Sequence, residues 1–279
     1  MEICAHTLVK NEERYLWFSV MSVITFVDKI LIWDTGSTDK TSEIALKLKQ
    51  LFPKKIEYKE IGEISSDDFP KVRQQMLDAT HADWFIVLDG DEVWWQDSIK
   101  SVVEIINSKG NSLESIVVPM IYPIGDIFHR QNESAGKYNL AGHFGNISLR
   151  AVNRNIPGLS SLNPHGKWGW IDGTGKMIQD RDKNKILFID APYMHFSLVP
   201  RGNSRDDDRK VMKRQQKLKY ELGQDFPKDY FYPEAFFKNT LEIVPSPWQT
   251  MDLGFKIRAY IETPLRKIKR KFFKGGVGY

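Results

Sequence analysis

The first ninety residues switch repeatedly between two periods, and that alternation limits the folds open to the chain. Ile3–Val9 (ICAHTLV), Lys29–Asp34 (KILIWD), residues 55–60 (KIEYKE) and Asp83–Asp89 (DWFIVLD) are short, mostly apolar runs with strand character. Helical stretches separate them. Residues 12–27 place Leu16, Val20, Val23, Ile24 and Val27 at helical spacing. Residues 37–52 open on polar capping residues and turn Ile44 and Leu48 inward, and Phe69–Thr80 has helical character. Strand followed by helix, over and over, predicts an α/β fold: a Rossmann-like, mainly parallel sheet flanked by helices.

Beyond residue 97 the reading is less regular. Residues 98–107 predict a helix with Ile99, Val102, Val103 and Ile106 on one side. Residues 115–124, 146–152 and 186–198 predict three more strands, and a long loop over 156–176 is rich in Gly, Pro, Trp and His. The last third reads as helical. Residues 204–222 form one charged helix, and Ser246-Pro247 and Thr263-Pro264 each look like a cap followed by proline in the first turn of a further helix. This divides the chain into a domain over 1–200, with halves at 1–110 and 111–200, and a helical extension over 201–279.

Composition narrows the chemistry. No stretch approaches the ~20 apolar residues that span a bilayer, and the amino terminus lacks the layout of a signal peptide, so a cytoplasmic location is expected. Cys4 is the only cysteine, which excludes an intrachain disulfide and a cysteine-based zinc site. The net charge of +4 is local: residues 263–279 carry six basic side chains and no acid, leaving the remainder at −2. A general nucleic-acid coat does not fit that distribution.

The strand ends carry the functional signal. In an open α/β sheet, ligands bind at the carboxyl edge of the strands. Here the first strand runs into Val9-Lys-Asn-Glu-Glu13, the second into Asp34-Thr-Gly-Ser-Thr-Asp-Lys-Thr41, and the fourth into Asp89-Gly-Asp-Glu92. Acidic loops at such an edge would repel a bare phosphate. A divalent cation removes the conflict, because Mg²⁺ or Mn²⁺ is held by one or two carboxylates together with phosphate oxygens.

These pieces, with the arginine of KVRQQML between them, resemble the nucleotide-sugar-binding half of inverting family-two glycosyltransferases, with the GT-A fold and its Asp-x-Asp motif. The resemblance covers roughly residues 1–110 and is nearest to members that build cell-surface glycans. It implies a nucleotide diphosphate sugar donor, Mn²⁺ or Mg²⁺, and a glycan or lipid-linked acceptor. By position, it implies that Val9, Asn11 and Glu12 line the base and ribose, and that Asp34 accepts a hydrogen bond from the base. Arg73 would sit near the base or diphosphate, and Asp89 near the ribose or a metal-bound water. Asp91 would be the direct metal ligand, with Glu92 supporting the site through hydrogen bonds. His195 is the candidate for a further metal ligand.

Arg201, Arg205 and Arg209 follow His195 and could close over the diphosphate, although a solvated helix face is the commoner meaning of such charges. Inverting transfer needs a base to take the acceptor proton. Relatives often carry His-Glu at the acceptor loop; here His165 is followed by Gly166. Asp172 is therefore the first choice for the base and His165 the reserve. Trp168 and Trp170 suit either sugar stacking or core packing.

Ile257, Ile261, Leu265, Ile268 and Phe272 recur every three or four residues among lysines and arginines. That pattern suits peripheral contact with an anionic membrane or a docked helix with a solvated face. Two other functions share part of this pattern. FIVLDGDEV satisfies the pattern of haloacid-dehalogenase-type phosphatases, although that family carries it on the first strand. A non-catalytic nucleotide- or glycan-binding protein would keep the pocket without the reaction.

Overall fold

The structure, a computed structural model, describes residues 1–165, 168–202, 205–211, 214 and 218–272, without the side chains of 205–207 and 271. β1 (Ile3–Val9), β2 (Lys29–Asp34), β3 (Ile56–Glu60) and β4 (Trp84–Val87) pair in parallel in the order β3-β2-β1-β4. α1 (Leu16–Val23), α2 (Thr41–Leu51) and α3 (Phe69–Asp78) connect them. β5 (Glu92–Trp94) follows the acidic loop and leads into α4 (Gln96–Lys109).

The next strands extend the same sheet with mixed polarity. They are β6 (Ser115–Ile121), β7 (Pro123–Ile124), β8 (Asp126–Arg130), β9 (Tyr138–Leu140), β10 (His143–Gly145) and β11 (Ile147–Asn153). β11 inserts antiparallel between β4 and β6. Then come β12 (Ser160–Leu162), β13 (Gly169–Ile171), β14 (Ile186–Phe188) and β15 (Tyr193–His195). β15 lies parallel to β6 and antiparallel to β5, with His195 opposite Glu92. α5 (Arg205–Lys210), β16 (Gln224–Asp225) and α6 (Leu253–Phe272) complete the described chain.

Side-chain alternation along the buried strands produces two cores, one on each face of the sheet. Ile3, Ala5, Ile30, Ile32, Trp84 and Ile86 join α1, α2 and α4 on one face. Cys4, Leu31, Trp33, Phe85 and Val87 meet Val72, Met76 and Leu77 of α3 on the other. This is the helix-flanked, mainly parallel arrangement that the alternating periods predict.

Several local expectations change. The strand expected over 186–198 is two strands, because Pro192 offers no N–H between them and Ala191 N turns back onto Ile189 O at 2.9 Å. The strand expected over 115–124 also breaks, at Tyr122. The long loop contains the antiparallel β12–β13 pair. Of the charged helix expected over 204–222, the described residues show α5 alone as a continuous helix, and the chain is irregular from 218 to 223.

The two late helices are one. Asp252, not Ser246, caps it, accepting from Phe255 N at 2.7 Å. Thr263-Pro264 lies inside α6: the Thr263 hydroxyl donates to Ala259 O at 2.6 Å and accepts from Leu222 N at 3.0 Å, tying the helix to the body where proline interrupts the ladder. Pro264 itself faces solvent.

Candidate active site

A cleft of about 670 Å³ opens at the carboxyl ends of β1 and β4, within the usual size of small-molecule sites. Seven lysines and arginines and four aspartates and glutamates line it. The balance is positive, which suits a polyanionic ligand.

The loop after β4 is packed against the loop after β1. A Cβ on Gly90 would lie 2.8 Å from Val9 Cγ1 and 3.1 Å from Glu12 Cγ, so only glycine lets the two acidic segments approach this closely. Asp89 and Asp91 therefore flank the point where Gly90 packs against the side chains of Val9 and Glu12. Their partners differ. Asp89 Oδ1 accepts from Arg73 Nη2 at 2.8 Å, and Asp89 Oδ2 lies 3.6 Å from Arg150 Nη1. Burial alone would raise the Asp89 carboxyl, but Arg150 and Arg73 outweigh it and hold it below the ordinary value.

Asp91 is buried, and its Oδ2 pairs with Arg201 Nη1 and lies 3.4 Å from His195 Nε2. Against the effect of burial, Arg201 and His195 hold this carboxyl well below the usual carboxylate range. Glu12 bridges Arg201, at 2.8 Å, and Arg214. Burial pushes Glu12 up to about 8 even so. Arg214 also donates to the carbonyls of Asn11, at 2.7 Å, and Lys10, at 2.8 Å, drawing the chain beyond residue 200 over the first loop.

Glu92 is fully buried, pairs with Arg150 and accepts from Asp89 N at 3.3 Å. Burial raises its carboxyl well above normal despite the arginine. Arg150 donates from Nε to Tyr193 Oη at 2.8 Å. Arg150 and Arg214 are absent from the sequence expectations. Arg150 had a signal, since an arginine inside the apolar run ISLRAV must find a buried partner; Arg214 sat among many charges of one segment.

The remaining expected residues fall in three places. Val9, Glu12, Arg73, Asp89, Asp91, His165, His195 and Arg201 line the cleft. Asn11 and Asp34 stand behind it and hold its loops. Asn11 adopts φ 54°, accepts from Thr38 N at 2.7 Å and takes Ser37 Oγ on its own N–H at 2.9 Å. Asp34 accepts from Ser37 N at 2.8 Å and Ser42 Oγ at 2.7 Å. The side chain of Arg205 lies outside the described residues, whereas Arg209 and Lys210 line the cleft.

Asp172 is held within a turn. It does not line the cleft: its Oδ1 accepts from Thr174 N, Thr174 Oγ1 and Lys176 N at 2.8, 2.6 and 3.1 Å, and its Oδ2 pairs with Arg181. Hydrogen bonds from Thr174 lead the effects that hold its carboxyl well below normal. A carboxylate so committed holds a turn and is a poor proton acceptor. The tryptophans divide as well. Trp170 is buried against Phe85, with ring centroids 5.0 Å apart, while Trp168 lines the cleft, its ring 5.1 Å from the Arg73 guanidinium.

The donor set can be tested against a divalent cation. Among the described residues no three His, Cys, Asp or Glu side chains cluster as a complete site. Asp91 Oδ2 and His195 Nε2 nonetheless converge within 3.4 Å, at the wall of the cleft. One carboxylate and one imidazole fit a cation that takes its other ligands from phosphate and water. The Arg201 guanidinium contacts that carboxylate and would have to yield to such an ion.

Several known proteins are similar to this chain. A relative, a TPR repeat-containing protein of Synechococcus elongatus, is 34% identical over 85 residues, which is 30% of this chain and 19% of that protein, so the chain spans less than a fifth of the curated relative it matches. Among solved structures, glucosyl-3-phosphoglycerate synthase of Mycobacterium tuberculosis, crystallised with Mn²⁺, UDP and glucosyl-3-phosphoglycerate, aligns with 15% identity and TM-score 0.46 over 77% of this chain and 76% of that one. S. aureus TarS residues 1–349, crystallised with UDP-GlcNAc, aligns with 12% identity and TM-score 0.47 over 76% and 62%. The family described as glycosyl transferase family 2 matches residues 4–167, more than half of the chain. Strand ends, cleft and family match converge on one assignment: this chain is a GT-A-fold member of glycosyltransferase family 2.

Proposed function

We propose that the chain transfers a sugar, with inversion, from a nucleotide diphosphate sugar to a hydroxyl of a glycan or lipid-linked acceptor. The observation that carries the proposal is the pairing of an electropositive cleft with the convergent Asp91 and His195 at its wall. The diphosphate is assigned to the side of Arg201, Arg209, Lys210 and Arg214, and the nucleoside to the loops after β1 and β2, shaped by Asn11 and Asp34. Residues 1–110 and 111–200 are assigned as donor and acceptor halves.

Asp91 and His195 would hold Mn²⁺ or Mg²⁺, which when bound supplies positive charge against the negative charge growing on the leaving diphosphate. Arg201 adds to that stabilisation once released from Asp91. Arg73 and Arg150 hold Asp89 ionised for contact with the ribose. With Asp172 committed to its turn, His165 is assigned as the base. Its imidazole takes the acceptor O–H proton as that oxygen bonds to the anomeric carbon, and the bond from that carbon to the diphosphate oxygen breaks, its electron pair leaving with the nucleoside diphosphate.

The phosphatase reading would need Asp89 as a free nucleophile, yet two arginines hold it, and family membership favours glycosyl transfer. A screen of thermal stabilisation by UDP, GDP and dTDP sugars, with and without Mn²⁺, tests the donor class. One nucleotide should raise the midpoint more than the others, and more with Mn²⁺. No shift with any donor would defeat the proposal.

A further inference from the structure

α6 turns its apolar side outward. Phe255, Ala259 and Thr263 are buried against the body, and Arg270 binds Glu221 with two 2.6 Å bonds. At 100° per residue, Ile257, Ile261, Pro264 and Ile268 lie on the opposite face, bordered by Tyr260, Leu265 and Phe272. Ile257 and Ile268 are 55% and 54% exposed, Leu265 and Ile261 64% and 66%, and Phe272 78%. Over a helix of about 30 Å this is a long apolar stripe in water, and such stripes mark contact surfaces.

Charge identifies the contact. Lys256 and Lys267 follow one edge of the stripe and Lys269 the other, all exposed. The sole acid of α6, Glu262, is bound by Arg258 and Arg266 at 2.6 Å each, which offsets its charge. A second copy laid on this stripe would bring lysine edges together. An anionic bilayer surface instead accepts the apolar stripe among acyl chains and the lysines among headgroups. No described helix is long and apolar enough to cross a membrane, so the helix lies in the surface.

We infer that α6 seats the chain on an anionic lipid surface, with the helix axis in the membrane plane. This is independent of the transfer reaction. Cosedimentation with vesicles of phosphatidylcholine alone, or with one part phosphatidylglycerol to two parts phosphatidylcholine, tests it. The full chain should bind the anionic vesicles and lose binding as salt rises. Ile261→Glu/Leu265→Glu should reduce binding at least tenfold, and Lys256→Glu/Lys267→Glu should reduce it by a similar factor, since each basic residue near such a surface contributes about fivefold. Both variants alter solvent-facing positions, so an unchanged far-UV spectrum and thermal midpoint should accompany the loss. Equal binding by all three proteins would overturn the inference. So would an apolar stripe that drives dimerisation without vesicles, or binding seen only after residues 273–279 are removed.

Discussion

Lowering the pH from 7.5 to 5.5 should cost this fold about 1.4 kcal/mol through His6 alone. His6 is fully buried in β1, stacks on Phe85 with ring centroids 4.6 Å apart, and shares a 2.6 Å hydrogen bond with Thr80 Oγ1. Burial, aided by the charge of Arg73, pushes its imidazole down to about 3. It is therefore neutral in the native state and titrates near 6.5 when unfolded. Because the folded value is the lower one, the unfolded chain binds the extra proton. Stability is complete above about 6.5 and is lost as the pH falls toward 3. At pH 5.5 the unfolded imidazole is about ten-to-one protonated, which gives the 1.4 kcal/mol, and any folded value below about 4.5 gives nearly the same result. Urea unfolding at both pH values, for the wild type and His6→Phe, isolates the effect because the other five histidines are common to both proteins. Thr80 keeps its 2.8 Å bond to Met76 O in the variant. The wild type should lose about 1.4 kcal/mol more than the variant on acidification. Equal losses would refute the reasoning.

Arg150→Met should destabilise the fold by about 3–5 kcal/mol, because it strands the buried Glu92, while Arg150→Met/Glu92→Leu should recover most of that loss in denaturant unfolding. Asp172→Asn should lower the thermal midpoint and leave kcat unchanged, as befits a turn residue outside the cleft; a lost turnover with an intact fold would return it to the reaction. Burial pushes the Cys4 thiol up to about 12, so a thiol reagent should label it only on unfolding, and rapid labelling of the native protein would contradict its place in the sheet.

Most of the parallel half of the sheet was readable because β1, β2 and β4 are buried on both faces and so appear as mostly apolar runs, with helical periods between. The antiparallel insertion of β11 was not, since strand order depends on pairing partners that leave no periodic mark in Ile147–Asn153. Thr263-Pro264 misled for a related reason: its local signal is that of a helix start, and the Thr263 contact with Leu222 that accommodates it within α6 is made across 41 residues. In the cleft, the acidic loops announced themselves as charge at the ends of apolar strands. Two of their counter-ions were missed, because Arg150 and Arg214 are recruited from distant segments, the one from the apolar run of β11 and the other from among many charges. The turn that holds Asp172 was not legible, because a carboxylate held by its own turn has the same composition as one offered to a substrate.

Release of nucleoside diphosphate from UDP, GDP and dTDP sugars in the presence of Mn²⁺, compared between the wild type and Asp91→Asn, bears most directly on the assignment. The wild type should release the diphosphate from its preferred donor, slowly by hydrolysis and faster with acceptor. The variant, with its fold intact, should be slower by on the order of 10²-fold or more. Full-rate release by Asp91→Asn, or no release from any donor by the wild type, would contradict the account.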